Sequence, residues 1–420
     1  MLFKNKVLMI GYGSVAQCAL PVLLKHLNIP YENLCIIDFL DKTKELRPWI
    51  QKGIRFSQVR IAKDNYARVL AANLEPGGLL IDLAWNIESA DILQWCHDHQ
   101  VLYVNTSVEE WNPQACMEKR SPFEKSLYFK QMQLRRLVSR WTANSVTAVV
   151  DHGANPGLIS HFVKQGLVDI AQKCVGNGAL TKKQKAAIER SLKSQDFPRL
   201  SMHLGVKVIH VSERDTQLTN KPKQVDEFVG TWSIEGLREE GTAPSEIGWG
   251  THEPRLPELA HEAPYGPKNQ IFLSQMGMNT WVRSWVPDQE IIGMVIRHAE
   301  AFSISDRLTV SRGGRVLYRP TVHYAYMPCD ATIASLLELR SRNYEVQPQQ
   351  RIMNDEITGG EDILGALLLG HRYNAWWTGS ILSIEESRAL VPHQNATTVQ
   401  VAIGVVSAVL WMTENPRRGL

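Results

Sequence analysis

A chain of 420 residues exceeds the usual size of one domain, so its length favours two domains. A hydrophobic share of 44% and a charged share of 21% are typical of an ordinary globular protein with a sizeable core. The net charge of +3 is too small to indicate nucleic acid or a membrane surface as a partner.

The six cysteines are scattered along the chain and form no CxxC pair. This spacing argues against a disulfide framework or a zinc site and favours reduced thiols in the cytoplasm. The first residues enter a predicted strand at once, so we expect no signal peptide. The apolar run at 401–412 is too short to span a bilayer and predicts a buried helix.

Short apolar runs alternate with helical patterns over the first 155 residues. The predicted strands are Val7–Ile10, Leu34–Phe39, Ile54–Ile61, Leu79–Trp85, Val101–Thr106 and Val146–His152. The predicted helices include Val15–Leu27, Tyr66–Asn73, Glu88–His99 and Lys119–Trp141. Strands that alternate with helices in this way predict an α/β fold with a doubly wound, Rossmann-type parallel sheet.

The pattern changes after residue 155. Strand signals follow one another between about 205 and 330, which predicts a mostly antiparallel sheet in a second, α+β domain. Residues 331–342 and 361–372 are predicted to be helical. We therefore expect a nucleotide-binding domain of residues 1–155 plus about 371–420, and a second domain of residues 156–370.

The first strand leads into the sequence GYGSVA, in which Gly11, Gly13 and Ala16 match the GxGxxG/A fingerprint. The first glycine permits a tight turn, and the second lets a pyrophosphate approach the backbone. Ser14 and Val15 open the following helix, whose N-terminus faces the phosphates. The pattern alone is weak, but its position between a strand and a helix favours dinucleotide binding.

The second predicted strand carries an acid, Asp38, near its end. A carboxylate there accepts hydrogen bonds from the ribose hydroxyls of NAD and repels the 2′-phosphate of NADP. Asp38 therefore predicts NAD as the cofactor. Lys42 and Lys44 follow closely and keep NADP open as an alternative.

Polar or aromatic residues also follow later strands: Trp85 and Asn86 after the fourth, and Thr106 after the fifth. The carboxyl ends of strands in an open sheet line its ligand crevice, which predicts contacts with cofactor or substrate. Helix capping explains each residue equally well. Glu109 and Glu110, beside a tryptophan, suit a cation, although a solvated loop fits the bare pattern better.

Further candidates lie in the second domain. In HGANPG (152–157), Asn155 with Pro156 marks a sharp turn, where Asn155 caps a helix, orients a nicotinamide or amine, or does both. Glu213 and Glu240, with Trp232 nearby, suit an ammonium group, although on the pattern alone surface acids are the better explanation. We found no convincing metal-ligand spacing and expect no metal.

His298 and Glu300 alternate in IRHAEAFSIS (296–305), which places both on one face of a predicted strand. Such a pair serves as a proton shuttle or as a structural ion pair.

Four segments together resemble the bacterial homospermidine synthases, within the saccharopine dehydrogenase-like group. They are GYGSVAQ, DHGANPG, EFVGTWSIEG and GEDILGALLLGHRYNAWWTGS. The resemblance runs over essentially the whole chain, and the last three segments are more specific than the glycine fingerprint. It implies a homodimer that binds NAD and small diamines.

The resemblance also implies a reaction that needs no net oxidant. NAD⁺ accepts a hydride from the amine-bearing carbon of putrescine, a second putrescine attacks the resulting imine, and ammonia leaves. The same cofactor then returns its hydride to the new imine and gives homospermidine. Spermidine is a possible alternative aminobutyl donor.

The resemblance further assigns roles to particular residues. Glu213 and Glu240 resemble the amine-binding acids, and Trp232 resembles the aromatic wall near the nicotinamide. One of Glu109 and Glu110, with a preference for Glu110, resembles a further substrate-facing carboxylate. In addition, Asn155 and His298 match positions beside the reacting carbon.

Two other functions remain open on the sequence. A saccharopine or carboxyspermidine dehydrogenase-like reductase acts on carboxylate substrates and needs arginines, for which Arg283, Arg297, Arg312 and Arg319 are candidates. A non-catalytic dinucleotide-binding protein would keep the fold without the chemistry. The acids favour a dication over a carboxylate as the substrate.

Overall fold

The computed structural model describes residues 2–112, 120–142, 145–176 and 180–420. Cys116 and the start of the helix predicted from Lys119 lie outside these ranges. The described residues fall into two compact units. Unit 1 comprises residues up to Arg120, Lys130–Ala154 and Thr398–Leu420, and unit 2 comprises Ser121–Phe129 and Asn155–Thr397.

The described part of unit 1 is built on a six-stranded sheet in the order β3-β2-β1-β4-β5-β6. Its strands are β1 (Val7–Ile10), β2 (Leu34–Asp38), β3 (Arg55–Gln58), β4 (Leu79–Asp82), β5 (Leu102–Asn105) and β6 (Ala148–Val149). Every neighbouring pair is parallel. The order reverses between β1 and β4, which is where a doubly wound sheet binds its ligand. The predicted Rossmann-type sheet is confirmed.

Helices alternate with these strands along the chain, and a last helix follows at the C-terminal end. They are α1 (Ser14–His26), α2 (Thr43–Ile50), α3 (Tyr66–Asn73), α4 (Ser89–Asp98) and most of α5 (Leu127–Val138) and α13 (Ala396–Glu414). The central strands β1, β2, β4 and β5 are buried throughout and apolar except for the last residues Asp38, Asp82 and Asn105, as expected of a sheet covered on both faces.

Helix α13 contains the apolar run predicted to be a buried helix. Its length and composition would suit a membrane span, but 67% of its apolar window is buried inside the protein, as in the core helix of a globular protein. In unit 1, Gly404 of this helix lies against the backbone of Gly153, where a Cβ atom would collide with the Gly153 carbonyl group. The helix therefore packs closely against the backbone at Gly153.

Unit 2 is built on a nine-stranded mixed sheet in the order β11-β12-β10-β17-β7-β20-β21, with the hairpin β13–β14 joined to β17. The strands are β7 (Val208–Asp215), β10 (Pro244–Gly248), β11 (Ala260–Glu262), β12 (Gln270–Met276), β13 (Trp281–Val286), β14 (Gln289–Met294), β17 (Thr321–Met327), β20 (Glu361–Leu369) and β21 (Ala375–Ser383). Only β7 and β17 pair in parallel among these described strands, so the predicted, mostly antiparallel sheet is confirmed.

Short strands and helices complete unit 2. The strands are β8 (Leu218–Thr219), β9 (Glu227–Gly230), β15 (Val310–Arg312), β16 (Arg315–Tyr318), β18 (Gln349–Ile352) and β19 (Ile357–Gly359). The helices are α6 (Leu158–Gly176), α7 (Lys182–Lys193), α8 (Phe197–Leu204), α9 (Ile234–Thr242), α10 (Ala299–Arg307), α11 (Asp330–Ser341) and α12 (Ile384–Leu390). Gly166 of α6 packs against Leu368 of β20, so α6 covers one face of the sheet.

Two segments differ from the sequence-based expectation. The sequence predicts a helix over residues 361–372, but β20 occupies 361–369 because this apolar run pairs with β7 on one side and β21 on the other. As a result, the C-terminal return to unit 1, expected from about residue 371, begins at Thr398. A short apolar run buried on both faces carries no helical or strand period of its own.

The segment GHRYNAWWTGS has a structural role in this hairpin. The side chain of Trp377 lies over Gly365 and Gly379, which face each other across β20 and β21. Its indole nitrogen donates a hydrogen bond to the Ser212 hydroxyl at 3.1 Å. Trp377 thus fills the surface that the two glycines leave open and fixes β21 against the centre of the sheet.

Candidate functional site

The glycine turn after β1 has the geometry of a dinucleotide cradle. Gly11 has a φ of +84°, and a Cβ there would lie 2.9 Å from the Leu83 carbonyl carbon, so the position requires glycine. Gly13 directly precedes α1, and a Cβ on it would meet no atom within 4 Å. An open space therefore lies over Gly13 at the start of α1, where Ser14 and Val15 present the first helical NH groups. A pyrophosphate fits there.

Asp38 ends β2 and is tied to this turn. Its Oδ2 accepts a hydrogen bond from the Tyr12 backbone NH at 2.7 Å, and its Oδ1 accepts one from Leu40 NH at 2.8 Å. These bonds fix a carboxylate at the carboxyl end of the strand beside the glycine turn. Lys42 is one of the two lysines that keep NADP open as the cofactor. Its Nζ lies 3.9 Å from Glu45 Oε1, so its positive charge already interacts with a carboxylate of the protein.

The other candidates of unit 1 lie at the ends of β4 and β5. Trp85 is 45% exposed, and Thr106 is half-buried after β5. Asn86 has a φ of +61°, and its Oδ1 is buried without a hydrogen-bond partner among the described residues. An orphaned, buried acceptor at this edge fits a ligand that donates a hydrogen bond. These residues suit a dinucleotide, and their contacts with it stay predictions.

The two adjacent glutamates after β5 have different surroundings. Glu110 is buried, and its Oε2 lies 2.6 Å from Arg120 Nη1 and 3.9 Å from Lys130 Nζ. Glu109 is half-buried and accepts hydrogen bonds from the Ser107 hydroxyl at 2.8 Å and the Asn86 NH at 3.5 Å. A substrate cation at Glu110 would compete with two protein cations. Which of the two glutamates faces the substrate, with the preference for Glu110 from the resemblance, stays a prediction.

The centre of the unit 2 site is the carboxyl group of Glu213 on β7, which is 3% exposed. Its Oε2 accepts short hydrogen bonds from the Asn155 amide and the Tyr324 hydroxyl. The same amide nitrogen donates to the Tyr324 oxygen at 2.6 Å. No hydrogen bond from the described residues reaches Oε1. One oxygen is thus held by neutral donors while the other is available to a ligand.

Burial raises the pKa of Glu213 to about 7, and the Asp215 charge adds to the rise, whereas the hydrogen bonds from Tyr324 and Asn155 oppose it. A carboxyl group with this pKa exchanges protons near neutral pH. It can therefore bind an ammonium group and also accept a proton from it.

His298 lies beside this group, with its ring centroid 4.7 Å from that of Tyr324. The side chain is 2% exposed, and neither ring nitrogen has a hydrogen-bond partner among the described residues. Burial lowers its pKa to about 3, and the backbone of Asn155 acts in the opposite direction. The imidazole is therefore neutral at pH 7.

An aromatic wall stands next to the acid. The Trp232 indole nitrogen donates to the Tyr326 hydroxyl at 2.9 Å, and the Tyr324 and Tyr326 rings stack with centroids 5.3 Å apart. Glu240 on α9 is half-buried, and its charge reaches this group: burial, together with the Glu213 and Glu240 charges, raises the pKa of Tyr324. The structure thus brings together Asn155, Glu213, Trp232, Glu240 and His298.

Several members of this group were not predicted. Tyr324 and Tyr326 alternate on β17, and Asp215 lies two residues after Glu213 on β7, where Asp362 of β20 faces it. The two-residue spacing in HYAYM and SERD predicts that each pair shares a strand face. The sequence does not show that β7 and β17 are neighbours in the sheet.

Two local predictions were wrong. Asn155 does not cap a helix: α6 begins at Leu158, the Asn155–Pro156 peptide is cis, and the Asn155 side chain turns to Glu213 and Tyr324. Residues 299–307 form α10 rather than a strand, so His298 and Glu300 form no shuttle. Instead, Glu300 accepts hydrogen bonds at 2.8 and 2.5 Å from the NH and hydroxyl groups of Ser160 in the first turn of α6. Such a bond stabilises a helix N-terminus.

The arginines named for a carboxylate substrate are engaged or exposed. Arg283 pairs with Glu290 at 2.5 Å on the surface, and Arg312 is exposed. Arg319 donates to the Lys268 carbonyl oxygen at 3.3 Å. Only Arg297 of these four is buried near the group, and it pairs with Glu239. Its charge is thereby offset, so the site retains a net acidic character.

Comparison with known proteins covers almost the whole chain. Residues 7–149 match the saccharopine dehydrogenase NADP binding domain, and residues 153–420 match the saccharopine dehydrogenase C-terminal domain. The chain is 39% identical to the homospermidine synthase of Blastochloris viridis, over 99% of this chain and 85% of that protein. The homospermidine synthase of Mesorhizobium japonicum is 37% identical, over 99% and 84% of the two chains.

The chain belongs to the homospermidine synthase family. A solved structure of the homospermidine synthase from Legionella pneumophila, in complex with NAD, has a TM-score of 0.87 and 37% identity over all of this chain and 86% of that one. A yeast saccharopine dehydrogenase is similar in fold alone, with a TM-score of 0.52 and 10% identity. The homospermidine synthase resemblance predicted from the four sequence segments is confirmed.

Proposed function

We propose that this chain is an NAD-dependent homospermidine synthase that joins two putrescine molecules with loss of ammonia. The observation that carries the proposal is Glu213, a buried carboxyl group with neutral donors on one oxygen and, among the described residues, none on the other. A diamine is a dication with an apolar middle. The carboxylates of Glu213 and Glu240 suit its two ammonium groups, and the aromatic rings of Trp232 and Tyr326 suit its apolar middle.

The residues that would hold the cofactor are those of the glycine turn and the strand ends. They are Gly11, Gly13, Ser14, Val15, Asp38, Trp85, Asn86 and Thr106, together with Asn155 and Pro156 of unit 2. When bound, NAD supplies a hydride acceptor for the amine-bearing carbon and a hydride donor for the new imine. The fixed carboxylate of Asp38 supports NAD over NADP because it would repel a 2′-phosphate.

Glu213 is the proposed proton acceptor. An ammonium group must lose its proton before the adjacent carbon can lose a hydride, and a carboxylate with a pKa of about 7 takes that proton at neutral pH. The same carboxyl group then returns a proton to the nitrogen that leaves as ammonia. Asn155 and Tyr324 hold Oε2 so that Oε1 faces the nitrogen.

The remaining side chains position the diamine. Glu240 grips the ammonium group farther from the reacting carbon, and Trp232 covers the methylene chain. Neutral His298 borders the reacting centre, where it accepts a hydrogen bond without adding a positive charge that would repel the substrate. Spermidine, which carries the same aminobutyl end, is a second possible donor.

The direct test uses purified protein with NAD⁺ and putrescine as the only additions. We expect homospermidine and ammonia in equal amounts by mass spectrometry and an ammonia assay, without accumulation of NADH. Binding of NAD without conversion of putrescine would overturn the proposal and leave a dinucleotide-binding protein. A continuous rise in NADH absorbance would indicate a dehydrogenase instead.

Tyr324→Phe tests how Glu213 is held. The variant keeps the ring but loses the hydroxyl that donates to Glu213, and this hydrogen bond lowers the Glu213 pKa. The acidic limb of the pH profile of kcat/KM should therefore move to higher pH, by about one unit. Tyr318→Phe, which also removes a buried hydroxyl in unit 2, is the control and should leave the profile in place. An unchanged profile in Tyr324→Phe would remove Tyr324 from this role.

We also propose that the protein is a homodimer and that it works in the cytoplasm. The hairpin β13–β14 exposes Trp281 by 55%, Trp285 by 40% and Ile292 by 49%, and large exposed apolar side chains of this kind mark protein interfaces. The described cysteines Cys18, Cys35, Cys96, Cys174 and Cys329 are free thiols, which are typical of a reducing compartment.

Replacing Trp281 and Trp285 together by Asp should weaken the dimer by at least about 30-fold, since buried interface tryptophans commonly contribute about 2 kcal/mol or more. Light scattering after size-exclusion chromatography measures the mass. Val225→Asp, at a site that is 82% exposed elsewhere in unit 2, should leave the dimer intact. A wild-type monomer, or an unaffected double variant, would count against this interface.

A further inference from the structure

Three buried carboxyl groups lie on one face of the unit 2 sheet. Glu213 and Asp215 are two residues apart on β7, so their side chains share a face. Asp362 on β20 is the direct antiparallel partner of Asp215. Side chains paired in this way have Cβ atoms about 4.5–5.5 Å apart. All three residues are at most 3% exposed.

Uncharged donors on neighbouring residues hydrogen-bond to Asp215 and Asp362. Asp215 accepts from the Gln217 NH at 2.9 Å, the Gln217 side-chain amide at 3.0 Å and the Thr231 hydroxyl at 2.8 Å. The Thr397 hydroxyl donates to Asp362. Neutral donors stabilise each carboxylate in part but leave the net negative charge in place.

Titratable groups on the neighbouring elements do not cancel this charge. Tyr324 and Tyr326 of β17 and the Cys329 thiol are neutral, and burial raises the pKa of each of them. His298 is neutral. Glu240 of α9 adds a further negative charge, and the buried Arg297, which pairs with Glu239, offsets it only in part.

Arg214 is the one cation on β7 between the acids. It alternates to the other strand face, where its Nη1 donates to the backbone carbonyl groups of Asp215 and Pro328 and its Nη2 lies 3.3 Å from Asp330. It lowers the pKa of Asp215 only partly, because burial still raises it overall.

Three like charges so close together in a buried site cannot all ionise near neutral pH. Burial raises the pKa of Glu213 to about 7 and that of Asp362 well above its ordinary range, and the charges of neighbouring acids add to both rises. The proton uptake belongs to the group as a whole rather than to one residue.

We propose that Glu213, Asp215 and Asp362 together hold a proton in the diamine-free enzyme and release it to the solvent when an ammonium group of the diamine arrives. This inference rests on the proposed function and adds a proton exchange to substrate binding. One carboxyl O–H bond breaks, the proton leaves to the buffer, and the ammonium charge replaces it beside the carboxylates. Asp215 acts through Glu213 and is a positioning residue.

Infrared difference spectroscopy tests the exchange directly. Protein loaded with NADH has no hydride acceptor, so putrescine binds without turnover. We expect saturating putrescine to remove a carbonyl-stretching band of a protonated carboxyl group. Saturation is verified by calorimetry on the same sample. Full binding without loss of such a band would overturn the inference.

Two variants assign the proton. Asp215→Asn removes one charge with little change in shape, and its band should be lost or at least halved. Asp64→Asn, at an exposed loop position of unit 1, is the matched control and should keep the full band change. A full band change in Asp215→Asn would take Asp215 out of the group. Glu213 and Asp362 would then remain to hold the proton.

The exchange also predicts how affinity depends on pH. At pH values below the apparent pKa of the group, binding releases a proton and is therefore favoured by a higher pH. For each proton released, the putrescine Kd should fall about tenfold when the pH rises by one unit. The slope should be shallower in Asp215→Asn and unchanged in Asp64→Asn. If the wild type makes homospermidine but shows no slope and no band loss, the proton exchange fails while the synthase function stands. If no homospermidine forms, the function itself fails.

Discussion

Glu213→Gln is expected to lower kcat for homospermidine formation by about 10²–10⁴-fold, the usual contribution of a positioned proton acceptor. The substitution keeps the size of the side chain and its bonds to Asn155 and Tyr324, but an amide neither takes a proton nor attracts an ammonium group. The measurement is product formation by mass spectrometry under saturating NAD⁺ and putrescine. Unchanged turnover and unchanged putrescine affinity would remove Glu213 from the mechanism.

The melting temperature of the same variant shows whether a loss of activity comes from a loss of folding. Burial raises the pKa of Glu213 to about 7, so its charge opposes folding above pH 7. At about pH 8, Glu213→Gln should therefore melt at the same temperature as the wild type or higher. Glu258→Gln makes the same substitution on an exposed loop of unit 2. This control variant should keep full activity.

Gly13→Val is expected to weaken NAD binding by about 10- to 100-fold, an effect of ~1.4–2.8 kcal/mol that is typical of overpacking. A Cβ on Gly13 would meet no protein atom within 4 Å, so valine fits the folded chain but occupies the room for the pyrophosphate. Calorimetric titration with NAD⁺ measures the change.

A second open glycine provides the control for this variant. Gly359 of β19 also has nothing within 4 Å of a Cβ, so Gly359→Val changes the chain equally without touching the cradle. It should bind NAD as the wild type does. Equal affinity in Gly13→Val and Gly359→Val would show that the pyrophosphate lies elsewhere.

The features that sequence alone predicted are those set by short-range rules. The turn at Gly11 and the strand-end acid Asp38 belong to one local motif, and the structure joins them through the Tyr12 NH. The alternating strands and helices of unit 1 likewise indicate a parallel sheet, since parallel neighbours need crossover helices. Such patterns are complete within about 30 residues.

The features that sequence alone did not predict depend on contacts between distant residues. The bond between Tyr324 and Glu213 spans 111 positions, and that between Asn155 and Tyr324 spans 169. These contacts override local preference: Asn155 leaves its expected helix cap for Glu213. Glu300 stabilises α6 in its place.

The most direct test of the proposed chemistry is the fate of the hydrogen removed from putrescine. The enzyme is given NAD⁺, putrescine deuterated on both amine-bearing carbons, and an excess of unlabelled NADH in solution. If one captive cofactor takes and returns the same hydride, homospermidine carries eight deuterium atoms by mass spectrometry. Product with seven deuterium atoms, which shows hydride from the free pool, would contradict the proposed cycle.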